Sequence, residues 1–144
     1  MIVRRSDAEW DGGLRDGHGR VALGSGAFAG PYSFRSRTEG GAETNPEELI
    51  AAAHAGCFTM ALVAGLSGKG YVPGHVRTTA KVRLDQDGPS FTIGLIELET
   101  EADVAGIDPE EFRRVAEQMK ASCPVSKALA GTTITLTATL VGRS

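Results

Sequence analysis

The chain has 144 residues, of which 41% are apolar and 23% charged, with a net charge of −3. That length suits one domain, residues 1–144, with room for its own hydrophobic core, and the composition excludes a disordered or fibrous chain. The mildly acidic balance leaves no basic footprint for a nucleic-acid partner.

Met1 is followed by Arg4, Arg5, Asp7 and Glu9 rather than by an apolar run, so no secretory signal is expected. The first third reads as short strands, "VRRSDAEW", "GRVALG" and "PYSFRSR", separated by glycine-rich turns. Arg35 and Arg37 alternate with serine there, as on a solvated strand face. A helix then begins with Asn45 as N-cap, Pro46 in the first position and Glu48 completing a capping box; it should end near Gly65 or Gly68. Two long strands, "HVRTTAKVRL" and "SFTIGLIELETEA", flank a turn at "DQDG". Asp108, Pro109 and Glu111 open a further helix, Pro124 a short one, and "TTITLTATLVG" closes the chain as a strand with one buried face. The pattern is α+β, with antiparallel strands covered by a long apolar helix.

That long helix carries no Asp, Glu, Lys or Arg from Leu49 to Gly68, which is long enough to span a bilayer. It is rich in Ala and Gly, however, and has His54 in its middle, so it reads as a buried core helix.

Two cysteines without a signal point to a reducing, cytoplasmic setting, where thiols are more often chemical than structural. Cys57 lies mid-helix, where the helix dipole does little; Cys123 precedes Pro124, where backbone N–H groups favour a thiolate. Local physics alone ranks Cys123 as the nucleophile. Lowering a thiol pKa from about 8.5 to about 6 takes roughly 3.4 kcal/mol. A helix terminus supplies about 0.3–1 kcal/mol and at most about 2. A guanidinium at about 4 Å supplies on the order of 4 kcal/mol. An arginine therefore decides which thiol reacts. The bland alternative is a pair of inert core cysteines.

Other features are weaker. His54 and Cys57 are three apart on one helical face, a possible ligand pair or thiol and base, but zinc needs two more ligands, and His18, His75 and Cys123 offer no tight spacing. Glu47 and Glu48 suit a first helical turn without any chemical role.

Together, "TNPEELIAAAHAGCF" (44–58) and "SCPVSKAL" (122–129) resemble the OsmC/Ohr family of thiol-dependent organic hydroperoxidases. "AEW", "YSFRSRTEGG" and "GIDPEEF" extend the resemblance over essentially the whole chain, and "FRSRTEG" is closer to the OsmC branch. The resemblance implies a fold of β-sheets around a long central helix in an intertwined homodimer, with two sites at the interface and no metal or organic cofactor. It makes Cys57 the peroxidatic and Cys123 the resolving cysteine, reversing the local ranking. The activating arginine matches Arg37 and its carboxylate Glu47, with Arg15 and Arg20 as rivals for the arginine. It further implies an organic hydroperoxide substrate, an apolar pocket involving Phe58, a Cys57–Cys123 disulfide, and recycling by a dithiol such as dihydrolipoyl groups. A small-lipid carrier with packed cysteines, or a metal-binding protein using His54 and the thiols, are the alternatives. Glu47 and Cys57 are ten residues apart, hence about 15 Å along one helix. Two copies crossing antiparallel at "AAAHAG", with its small side chains, would bring Glu47 of one beside Cys57 of the other.

Overall fold

The computed structural model describes residues 1–142. Its elements are β1 (Ser6–Asp11), β2 (His18–Leu23), β3 (Ala29–Tyr32), α1 (Phe34–Thr38), α2 (Pro46–Gly68), β4 (Pro73–Asp87), β5 (Ser90–Val104), α3 (Pro109–Ser122), α4 (Pro124–Ala128) and β6 (Thr133–Gly142). They form two compact units, Met1–Leu49 and the chain from Ile50 onward.

In the first unit β1, β2 and β3 make an antiparallel meander in that order. Gly19 of β2 lies between Trp10 and Tyr32, whose rings meet edge to face at 5.5 Å. A Cβ at Gly19 would come within 2.5 Å of the Tyr32 ring and 2.6 Å of Trp10, so this close approach requires glycine. The segment "FRSRT" departs from expectation: it is the helix α1, not a strand. Ser33 and Ser36 decide this. The Ser33 hydroxyl accepts from the Ser36 N–H at 3.0 Å, and the Ser36 hydroxyl accepts from the Ser33 N–H at 2.9 Å. That reciprocal cap outweighs a two-residue alternation over only a few positions.

The second unit is a three-stranded sheet, β4-β5-β6, with α2 from Ile50 onward and α3 packed against it. Strands β4 and β5 pair up to Asp87↔Ser90, so the turn is Gly88–Pro89 rather than "DQDG". Gly88 takes φ 61°, and Pro89 fixes the next φ negative, which is enough for a two-residue connection. Strand β6 runs parallel to β5, from Leu95↔Thr133 to Asp103↔Gly142, so the sheet is mixed rather than antiparallel. The intervening α3 and α4 form the crossover that a parallel neighbour needs. On β6 the threonines face out, while Ile134, Leu136, Ala138 and Leu140 face the core, as the alternation predicts.

Helix α2 starts as its sequence dictates, with the Asn45 side chain accepting from the Glu48 N–H at 2.8 Å. The Glu48 carboxylate accepts from the Thr44 hydroxyl at 2.8 Å rather than from the Asn45 N–H, so the expected capping box is made only in its Asn45 half. Its inward face repeats every four residues, His54, Phe58, Leu62 and Leu66, all fully buried against Ile96, Leu98, Ile107, Phe112 and Val115. The opposite face, with Ala52, Ala53, Gly56, Met60 and Val63, is exposed and equally uncharged. The expectation of a buried helix is met on one face only.

Candidate active site

The two cysteines, 66 positions apart in sequence, meet with their sulfur atoms 3.0 Å apart, and both are free thiols. Cys57 lies in α2 beside the buried stripe and keeps part of its surface. Cys123 is the residue on which α3 ends and α4 begins; its N–H donates to the Met119 carbonyl at 2.9 Å, and its side chain is fully buried.

The two thiols differ in acidity. Burial pushes the Cys57 thiol up, and its hydrogen bond to Cys123 pushes it further, against a smaller opposing bond from the Val125 N–H. Burial also acts against a Cys123 thiolate. It is outweighed by the polar surroundings of the sulfur, the Cys57 thiol at 3.0 Å foremost and then the first turn of α4, so that Cys123 lies below the usual thiol range. Within one chain the more acidic member of the pair is Cys123, as the helix-start argument anticipates.

Behind Cys123 stands a group that the sequence reading did not assign. His54 is fully buried, and its Nε2 lies 2.8 Å from the Ser126 hydroxyl. It therefore engages Ser126, not Cys57. Burial holds its pKa below the ordinary histidine value. Two sequence signals could have exposed the link: His54 shares a helix face with Cys57, and Ser126 is the third residue after the cysteine that opens α4.

In the first unit Arg37 and Glu47 come together. The guanidinium Nε donates to Glu47 Oε1 at 2.8 Å and Nη2 to Oε2 at 3.1 Å, a two-pronged pair whose carboxylate is 8% exposed and guanidinium 37%. Arg37 comes from α1 and Glu47 from the first turn of α2. Beside them Trp10, Leu14, Tyr32, Phe34, Arg37 and Pro46 line a mainly apolar pocket of about 430 Å³. Neither rival arginine is paired with Glu47. Arg15 sits over the Phe34 ring at 5.1 Å, and Arg20 lines a shallow recess with Asp7 and Glu9. Phe58 is sunk in the core of the second unit, on the inward stripe of α2.

The sulfur pair can thus pass between dithiol and disulfide with little movement, and the arginine–carboxylate pair presents a fixed cation next to an apolar hollow. A family model described as OsmC-like protein matches residues 39–138. Peroxiredoxin OsmC of Escherichia coli (strain K12) is 44% identical over 129 residues, covering 89% of this chain and 90% of that protein. The organic hydroperoxide resistance protein of Xanthomonas axonopodis pv. citri is 36% identical over 93 residues, 64% of this chain and 63% of that one. Among solved structures, an organic hydroperoxide resistance protein from Elizabethkingia anophelis superposes with a TM-score of 0.69 at 27% identity, covering 99% of both chains.

Proposed function

The chain belongs to the OsmC-like family, and on that premise we propose that it is a two-cysteine peroxidase that reduces organic hydroperoxides. The observation that carries the reading is the 3.0 Å approach of a partly exposed thiol, Cys57, to a fully buried one, Cys123. A peroxide reaches the exposed sulfur; the buried one serves as its partner.

In this cycle the Cys57 thiolate attacks the distal oxygen of the hydroperoxide. The O–O bond breaks, the alkoxide leaves and is protonated to the alcohol, and Cys57 becomes a sulfenic acid. Cys123, already the more acidic thiol, attacks that sulfur and expels hydroxide, closing the Cys57–Cys123 disulfide. A dithiol, for which dihydrolipoyl groups are our choice, restores both thiols by exchange and leaves as its own disulfide. The chemistry calls for no metal or organic cofactor, and a reducing cytoplasm suits it.

Placing charge on Cys57 rather than on Cys123 takes a cation, and we assign that part to Arg37 held by Glu47. The span of about 15 Å between Glu47 and Cys57 along α2 argues for two copies of the helix crossing antiparallel near Ala52. The uncharged exposed face of α2 supports such a crossing, since Ala52, Ala53 and Gly56 let backbones approach. Each site then takes its cysteines from one chain and the Arg37–Glu47 pair from the other. The alkyl part of the substrate lies in the pocket beside Arg37, which favours alkyl or lipid peroxides over hydrogen peroxide.

Turnover of cumene hydroperoxide and of hydrogen peroxide with dihydrolipoamide as donor tests the reading. Catalytic consumption with preference for the organic peroxide is expected. Binding of an apolar ligand without any consumption would mark a carrier instead.

A further inference from the structure

Two pairs of side chains face each other where α4 meets α2. His54 and Cys57 are three apart on α2, and Cys123 and Ser126 are three apart at the start of α4. Cys57 meets Cys123 with the sulfurs at 3.0 Å, and His54 Nε2 meets the Ser126 hydroxyl oxygen at 2.8 Å. The order is antiparallel, so the contacts make two rungs, about 4.5 Å apart along α2. Among the described residues, His54–Ser126 is the only hydrogen bond between side chains that joins these helices besides the sulfur contact itself. It stands with either neutral tautomer of the ring, since a serine hydroxyl both donates and accepts.

Burial alone gives no reason for this second rung. His54 is fully buried on the stripe that continues as Phe58, Leu62 and Leu66, and Ser126 is 6% exposed. An apolar pair would fill the same space with no polar group to desolvate, whereas His54 Nδ1 is buried without a hydrogen-bond partner. What a hydrogen bond adds to apolar contact is direction, since it weakens steeply with angle while packed carbons slide. Direction is what α4 lacks. It has five residues, too few to hold a helix by themselves, and no side-chain hydrogen bond caps its start. Helix α3 holds the Cys123 backbone from one side, through the bond from its N–H to the Met119 carbonyl. His54 holds the following turn from the other, through Ser126.

Resting on the two-cysteine cycle, we propose that His54, bound to Ser126, is a positioning residue that keeps the Cys123 sulfur in reach of Cys57, so that resolution outruns overoxidation. The Cys57 sulfenic acid has two fates. In one, the Cys123 thiolate attacks its sulfur, the S–S bond forms, and hydroxide departs and takes up a proton as water. In the other, the sulfenate attacks a second hydroperoxide and breaks its O–O bond; the sulfur gains an oxygen as sulfinic acid, and the alcohol leaves. The first step is intramolecular, and its rate follows the fraction of time that the sulfurs lie in contact. The second follows the peroxide concentration. The His54–Ser126 rung acts on the first. Each loss to the second removes a site, because a dithiol does not reduce a sulfinic acid.

The effective concentration of one thiol for the other decides the matter, and measuring it needs no peroxide. Equilibration with 2-mercaptoethanol and its disulfide, followed by acid quenching and alkylation, gives the fraction of Cys57–Cys123 disulfide and hence that concentration. Ser126→Ala and His54→Leu should each lower it by about three- to tenfold, the scale of one hydrogen bond, which is about 15–30 mV in potential. The double variant should lose no more than either single one. His54→Gln, whose amide N–H comes near the Nε2 position, should recover most of the loss. With cumene hydroperoxide in excess, the two single variants should carry more Cys57 sulfinic acid per turnover, read by peptide mass. A histidine that only fills the core would lower the melting temperature and leave the effective concentration unmoved, which overturns the proposal. Additive losses in the double variant, or unchanged sulfinic acid at a lowered effective concentration, overturn it too. Ser126→Ala carries the decision if His54→Leu does not fold. A native protein inert to peroxide, with effective concentrations shifted as stated, would refute the peroxidase reading while upholding the rung.

Discussion

Arg37 and Glu47 form their two-pronged pair within a single chain, the arginine on α1 and the glutamate on α2. Loss of either partner is unequal in effect. Without Arg37 a largely buried carboxylate loses both of these hydrogen bonds; without Glu47 the guanidinium loses its orientation but not its charge.

Because the pair travels together, Arg37→Ala and Glu47→Ala should behave as one complementation group. Each, co-expressed with Cys57→Ser, should regain activity in purified mixed dimers, since one of the two sites then has all native residues. Arg37→Ala with Glu47→Ala should regain none. Activity in that last combination, or its absence from both of the first two, would refute the shared site.

The activation of Cys57 has a pH signature. Burial and Cys123 raise its pKa within the chain, so without a cation it is a thiol at neutral pH and its alkylation rate climbs only as pH rises toward and past the ordinary thiol value. Arg37→Ala should therefore slow alkylation of Cys57 at neutral pH by about tenfold or more, with the loss shrinking at alkaline pH. Arg15→Ala should change little, because the guanidinium that Glu47 holds is that of Arg37. The reverse ranking of the two variants would transfer the role to Arg15.

Roles of the sulfurs separate by trapping. Cys57→Ser should abolish peroxide reduction. Cys123→Ser should allow one turnover and leave a sulfenic acid on Cys57 that dimedone labels; label on a cysteine in Cys57→Ser instead would exchange the assignments. With both thiols present, dihydrolipoamide should outpace glutathione and thioredoxin at equal reducing equivalents, which a coupled turnover assay decides.

Two glycines of α2 distinguish folding from assembly. A Cβ on Gly65 would lie 2.7 Å from Met119 Sδ and 3.2 Å from Val115, so Gly65→Leu should destabilise the fold by about 1–3 kcal/mol in urea titration. A Cβ on Gly56 meets nothing within 4 Å. Gly56→Leu should leave a chain that folds, yet sedimentation should show its dimer weakened. An unaltered dimer would move the helix crossing away from residue 56.

The long helix, its Asn45 cap, the Asp108 and Pro124 starts and the inward side of β6 were legible in the sequence, because each rests on neighbours in the chain. Caps act over three residues and alternation over two, so these signals survive whatever the rest of the molecule does. The identity of Cys57 and Cys123 as a pair was legible only through motif resemblance. Their 3.0 Å contact, the helical state of "FRSRT", the parallel seat of β6 and the His54–Ser126 link were decided by the tertiary structure. Nothing local tells residue 54 that a serine 72 positions later will lie against it. Such contacts come from packing α2 and α4 into one core, where a buried polar atom takes the partner within reach. The choice of reactive thiol lies at the same level. Hydrogen bonds within the chain favour charge on Cys123, and the position of a guanidinium determines whether Cys57 takes it over.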